Sequence, residues 1–408
     1  MGTPTFSWKT SATASRYQFE YNNVDDPDTF LYRSGELSTL TYKPPIIEAT
    51  NPPTPSYWFA RAKDAAGNWS AWSDPFTVTI RPLVPAAPVL SAPASSYETD
   101  TTLLDLSWLA VSYGNIYEIQ IDDLSGFTSP NYTFTSDMGA LSDTVGPLAP
   151  GKWYWRVRSY NVNNISGPWS ASRNFRIYPS FNTQFNSNGN FEGWEQHPGA
   201  AWTVSSGSLY TADGSDGKTS SASYAGSTFT DFTYEARIKK DFDHPGSAYF
   251  LRDVYGLVVR GTPAFNSYNN WQNGYYFVVG RFWNSLSCFA VQKINIGPWT
   301  YLTGGSKWNC YADINYSDWN TLKVVAKGTT LKFYINGILM WSRSVSGPAS
   351  GRLGIFTAPV NGGEESIYVD WAVAGRPVIP AGAEEVVAPG QIPYQPSQEG
   401  NFPRTTGW

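Results

Sequence analysis

The stretch Trp319–Gly337, WNTLKVVAKGTTLKFYING, decides the fold. Asn336-Gly337 is a tight-turn dipeptide of the kind that joins two antiparallel strands, because both residues accept positive φ. It is flanked by Phe333, Tyr334 and Ile335 on one side and Ile338 and Leu339 on the other, residue types that suit a pleated sheet. The run Trp319-Asn320-Thr321-Leu322-Lys323-Val324 alternates apolar and polar residues ahead of this hairpin. The same texture continues in both directions, through Phe232–Ile238, Tyr255–Arg260, Asn273–Val279, Gly351–Phe356 and Ile367–Val373. The chain holds 18 Trp, 26 Tyr and 22 Phe but 3 Met, and its 36 Gly and 29 Pro are spread along it. Many short strands joined by turns, with no run of convincing helical periodicity, predict an all-β protein.

The order of these runs is similar to a concanavalin A-like lectin/glucanase jelly roll of the laminin-G-like kind. The "WNTLKV…LKFYING" hairpin and the closing strand Tyr368-Val369-Asp370-Trp371-Ala372-Val373 carry the resemblance over about residues 185–376. It implies two antiparallel sheets packed face to face, with alternate residues buried between them.

The N-terminal part repeats. Trp58-Phe59-Ala60-Arg61-Ala62 aligns with Trp155-Arg156-Val157-Arg158-Ser159, and Trp72-Ser73 with Trp169-Ser170. Phe6-Ser7-Trp8 likewise matches Leu106-Ser107-Trp108. A repeat of about a hundred residues is a copied domain rather than a solenoid unit. Each copy resembles a fibronectin type III domain, which gives domains over residues 1–81, lacking a leading strand, and 85–178. Pro-rich residues 81–88 form a semi-rigid connector between them. The run Asn68-Trp69-Ser70-Ala71-Trp72-Ser73 contains a WSxWS pattern. Its expected role is a stack in which Arg61 lies between the indoles of Trp69 and Trp72. The overall expectation is tandem fibronectin type III-like sandwiches, a concanavalin A-like jelly-roll sandwich, and a Pro/Gly-rich extended tail over residues 377–408.

Net charge is −5, only 15% of residues are charged, and Lys and Arg form no cluster. That composition gives no footprint for nucleic acid, and no apolar stretch is long enough for membrane insertion as a helix. No secretory signal peptide opens the chain, which reads as a piece of something longer. Cys288 and Cys310 are open to two readings, a pair of buried thiols or a disulfide across neighbouring strands.

Glycoside hydrolysis usually uses two carboxylates facing each other across the bond. The E-x-D-x-x-E strand motif of glucanases is absent, and the acidic pairs Glu192/Glu195, Asp213/Asp216, Asp241/Asp243 and Glu364/Glu365 read mostly as loop charges. The expectation is therefore a non-enzymatic protein that binds glycans. A sugar site needs flat aromatic faces and planar donors, for which Tyr255, Arg260, Trp271, Tyr276, Arg281 and Trp283 are the candidates. Arg260 has a second reading, as a buried partner of Glu235. The resemblance also implies one structural Ca²⁺ at Asp370, with Glu192 as a further ligand. The tail 384–408 resembles the leading segment missing from the first copy, so head-to-tail self-association by strand exchange is a further expectation. Two functions stay open: an extracellular or cell-surface, bacterial glycan-binding adhesive protein, or a structural subunit of a surface fibre.

Overall fold

A computed structural model describes residues 3–45, 47, 53–198, 201–212, 219–240, 251–265, 269–282, 287–295, 299–304, 307–315, 317–359, 366–378 and 391–392. The protein is all-β, with no helix among the described residues. Two compact units are present, the first formed by Met1–Tyr97, Leu103–Leu148 and Lys152–Phe175, the second by Glu98–Thr102, Ala149–Gly151 and the chain from Arg176 on.

The first unit contains the two repeated copies. In the first copy, Phe6–Ser7 pairs with Thr41–Tyr42, opposite a four-stranded sheet ordered Tyr32–Arg33, Ala14–Asn22, Pro55–Asp64, Phe76–Thr79. Phe6, Phe19, Tyr21 and Ile47 form its core. In the second copy the corresponding small sheet has a third strand, Leu90–Ala92, paired to Leu104–Trp108. Trp108 is buried there to 2%, whereas Trp8, at the matching position of the first copy, is only half-buried. The Arg61 guanidinium lies 4.6 Å from the Trp69 ring and 4.5 Å from the Trp72 ring. In the second copy Arg156 and Arg158 both sit over Trp169, at 4.4 and 4.5 Å.

The second unit is a jelly-roll sandwich of two antiparallel sheets. Its eight-stranded sheet runs Thr203–Ser205, Ser208–Ala212, Ser366–Gly375, Phe232–Lys240, Asn320–Lys327, Thr330–Ile335, Ile338–Ser344, with Phe181–Thr183 also on Ser366–Gly375. The hairpin at Asn336-Gly337 forms as its sequence requires, with φ of 50° and 82° at the two turn residues. The nine-stranded sheet runs Trp194–Gln196, Ser220–Tyr224, Arg352–Pro359, Leu251–Phe265, Trp271–Phe282, Ser287–Asn295, Asn309–Tyr311, Gln391–Ile392, with Thr300–Tyr301 on Ser287–Asn295.

Between the sheets lies a large apolar core that includes Phe232, Tyr234, Leu257, Phe277, Val291, Leu322, Phe333, Ile355 and Val369. Burying each such side chain contributes about 1.5–3 kcal/mol. A second cluster covers the opposite face of the nine-stranded sheet: Val254, Val258, Trp271, Tyr276, Val278, Cys288, Ala290, Ile294, Trp308, Cys310, Phe356 and Ala358. Both faces of this sheet are therefore apolar. Cys288 and Cys310 oppose each other in register and are joined by a disulfide.

Of the tail, Gln391–Ile392 pair with Asn309–Tyr311, placing Ile392 opposite Cys310. The rest of 384–408, on which the strand-exchange expectation falls, lies outside the described residues.

Candidate functional site

The second apolar cluster, on the outward face of the nine-stranded sheet, carries polar groups set among its aromatic rings. The strands put them there by parity. Along Ser220–Tyr224, Ala222 faces the central core, so Ser221 and Ser223 face outward. Along Trp271–Phe282, Tyr275, Phe277 and Val279 face the core, and Tyr276 and Val278 face out. Along Ser287–Asn295, Gln292 shares the outward parity of Cys288, Ala290 and Ile294.

Trp271 is the centre of this face. Its ring packs where two strands lack side chains: a Cβ on Gly261 would come within 2.2 Å of it, and one on Gly354 within 2.9 Å. The indole Nε1 donates to Ser221 Oγ at 3.1 Å, and the Trp271 backbone N–H donates to the Tyr276 hydroxyl at 3.1 Å. His197 stands against the ring edge, 5.2 Å between centroids, and against Phe265 at 4.5 Å. His197 Nε2 shares a hydrogen bond of 2.9 Å with Ser223 Oγ. Thr219 Oγ1 donates to Asn270 Oδ1 at 2.6 Å on the same side. On the other flank, Trp299 stacks on Tyr276 at 6.3 Å and Phe356 meets Tyr276 edge-on at 4.6 Å.

Two electrostatic features stand out. Burial, with no compensating carboxylate, lowers the His197 pKa to about 4, so the imidazole is neutral at ordinary pH. Burial raises the Tyr276 phenol well above its usual range, so its proton is retained. Gln292, 2% exposed and in register beside Tyr276 and Tyr301, has a side-chain oxygen with no hydrogen-bond partner among the described residues. A buried, unpartnered amide oxygen is costly and is the kind of acceptor a ligand hydroxyl satisfies.

Of the four expected sugar-binding residues whose side chains are described, Trp271 and Tyr276 meet on this face. Tyr255 points the other way, into the central core, where its hydroxyl accepts from Asn320 Nδ2 at 2.9 Å. Arg260 is not a ligand-facing donor, nor the partner of Glu235. A bulge after Val258 turns it, at φ 50°, toward the end of the sandwich. There its guanidinium, 2% exposed, donates to the carbonyls of Thr230 and Gly328 and lies 3.7 Å from Asp231. Glu235 instead pairs with Lys323 at 2.9 Å. The Arg281 side chain and all of Trp283 lie outside the described residues.

Of the residues expected at calcium, Asp370 accepts from Arg237 Nη1 at 2.6 Å, and Glu192 accepts from the Gln184 backbone at 3.1 Å. The described residues contain no grouping of three or more acidic, His or Cys side chains suited to a metal. His197, Ser221, Ser223, Asn270 and Gln292 were not legible as site residues. His197 follows no motif, and the hydroxyls belong to a short polar strand, SSASY, whose outward side only its pairing with Arg352–Pro359 defines.

Residues 180–358, less than half of the chain, match the family model of the 3-keto-alpha-glucoside-1,2-lyase-like domain. No curated protein matches the chain. Solved structures similar to it include a carbohydrate-binding module from Bacillus subtilis, 17% identical, covering 43% of this chain and 91% of that one at TM-score 0.31. The carbohydrate recognition domain of Emp47p is 16% identical, covers 49% and 95%, and has a TM-score of 0.37. A Bacillus licheniformis beta-glucanase is 11% identical, covers 48% and 97%, and has a TM-score of 0.32. The match to a lyase-like family overturns the expectation of a non-enzymatic protein. The missing glucanase motif bears on hydrolysis by paired carboxylates, and a lyase has no need of that pair.

Proposed function

We propose that the jelly roll is a carbohydrate-active domain that cleaves 3-keto-glycosides by elimination, with its site on the outward face around Trp271. A ketone at C3 acidifies the hydrogen on C2, so one base and one donor suffice. The C2–H bond breaks, its electron pair forms the C1–C2 double bond, and the C1–O bond breaks toward the departing oxygen, which takes up a proton. Neutral His197 is the base, fixed in orientation by Ser223. The Tyr276 hydroxyl, held protonated by burial, donates to the ketone oxygen as charge develops there. Gln292 accepts from a sugar hydroxyl, while Trp271, itself buried, fixes Ser221 and the Tyr276 hydroxyl in place through its indole and backbone N–H groups rather than touching the sugar. The observation that carries this reading is the lyase-like family match over the same residues that gather an imidazole, a phenol and an unpartnered amide on one aromatic face.

The two N-terminal sandwiches, read as fibronectin type III-like, serve as spacers, and we place the protein outside the cell or on its surface. The disulfide supports that placement, since such bonds persist in oxidising compartments.

The test is release of nitrophenol from p-nitrophenyl 3-keto-α-glucoside beside the unoxidised glucoside. Turnover of the ketone alone is expected, falling roughly 10²–10⁴-fold in His197→Gln. Equal cleavage of both compounds, or none of the ketone, refutes the assignment.

A further inference from the structure

Away from the outward face, a cleft of about 460 Å³ opens at the side of the jelly roll, lined by Lys293, Asn295, Thr300, Leu302, Trp341, Arg343 and Ser344–Ser346. A second cleft of about 280 Å³ shares Lys293 and Asn295 with it and adds Thr262, Asn273, Gly347 and Pro348. The two form one polar groove on either side of the end of the strand Ser287–Asn295.

Its charge is one-sided. Among the described residues two cations line the groove and no carboxylate does, in a chain whose net charge is −5. Elsewhere in the jelly roll some cations meet acids, as Arg237 meets Asp370 at 2.6 Å and Lys323 meets Glu235 at 2.9 Å. Among the described residues neither Lys293 nor Arg343 has such a partner, and the Lys293 ammonium donates only to the Ser346 carbonyl. The floor is apolar and fixed: Trp341 is 6% exposed, and its Nε1 donates to the Leu302 carbonyl at 3.3 Å. Below the second cleft the Tyr275 hydroxyl, fully buried and without a partner among the described residues, reaches the underside of Gly347, where a Cβ would stand 2.4 Å from it. Two cations without a carboxylate partner and a row of amide and hydroxyl side chains fit a ligand with anionic oxygens and neighbouring hydroxyls.

We propose that this groove binds the anionic group of an acidic saccharide, a carboxylate or a sulfate ester, with Lys293 and Arg343 as its counter-ions. The sign of the ligand's charge follows from the groove alone; that a sugar carries it rests on the carbohydrate reading of the outward face. Because the aromatic floor is covered, selection rests on charge rather than on stacking. Binding therefore weakens as salt rises.

Calorimetric titration of the full chain with tri-galacturonate, a sulfated trisaccharide and a neutral glucose trisaccharide tests this. One or both acidic probes should bind more tightly than the neutral one, and which of them binds identifies the anion. The double variant Lys293→Gln/Arg343→Gln should weaken that binding about tenfold or more, as expected for a lost charge-assisted contact. Turnover of the 3-keto-glucoside should be unchanged in the same variant. Acidic and neutral probes binding equally, or acidic binding untouched by the double variant, overturns the groove as an anion site. Failure of both acidic probes while the ketone is turned over removes this proposal and leaves the lyase reading standing. Acidic binding that depends on the two cations without turnover does the reverse.

Discussion

Lowering the pH from 7 to 4.5 should destabilise the jelly roll through one side chain, His197. Its imidazole is 6% exposed, packed on Phe265 and Trp271, and burial holds its folded pKa at about 4 against an unfolded value of about 6.5. Between those values the unfolded chain binds a proton that the folded chain refuses. Stability is therefore complete above pH 6.5, declines as pH falls toward 4, and levels off below it. The full window spans roughly 2.5 pKa units, or about 3 kcal/mol, of which about 2.5 kcal/mol has been lost by pH 4.5. The chain has only two histidines, so imidazole resonances can be followed individually by NMR and assigned with His197→Gln. The expected outcome is one histidine that does not titrate above pH 5. Denaturant unfolding at pH 7 and 4.5 should then show a smaller pH effect in His197→Gln, by about 2 kcal/mol, because carboxylate titration is common to both proteins. Two histidines titrating near 6.5, or equal pH effects in both proteins, would refute the claim that burial governs this ring. The same burial leaves the imidazole lone pair free of a proton from pH 5 to 8, at the cost of making it a weaker base.

Removing the disulfide should be costly for the same domain. Cys288 and Cys310 close a loop of 22 residues, so the double variant to alanine should lose about 3 kcal/mol. In calorimetry that corresponds to a fall of roughly 6–12 °C in the melting of the jelly roll, and an unchanged transition would show that the cross-link constrains nothing. In the first copy, Arg61→Ala removes contacts to Trp69 and Trp72 together with two hydrogen bonds to Gln18. A loss of about 1–3 kcal/mol is expected by denaturant unfolding, with Arg61→Lys intermediate; full stability of the alanine variant would show that the stack is ornamental.

The fold was readable wherever one face of a strand meets solvent. Asn336-Gly337 and the alternation before it define the hairpin, and Arg61, Trp69 and Trp72 meet as their spacing suggests. Legibility ends in Tyr275-Tyr276-Phe277-Val278-Val279, an unbroken apolar run. With both sides of the sheet covered, alternation carries no information on which residue faces which way. Tyr255 and Tyr276 look alike in sequence yet lie on opposite sides. Arg260 was misplaced because a bulge changes the parity after Val258, and no residue type in the run announces it. The imidazole, the hydroxyls and the amides of the candidate site come from four separate segments whose meeting depends on pairings far apart in sequence.

A sheet that is apolar on both faces also loses its usual safeguard against misalignment. Sliding an ordinary strand by one residue turns its greasy side to water, and that penalty fixes the correct pairing. In Trp271–Phe282 the same slip would exchange one set of buried rings for another. Fidelity must then come from shape and covalent linkage. Trp271 fits only where Gly261 and Gly354 leave room beside it, and the bond from Cys288 to Cys310 fastens the adjacent strand at a single setting. The two glycines and two cysteines act as alignment pins, and the residue they keep in place is the one at the centre of the proposed site.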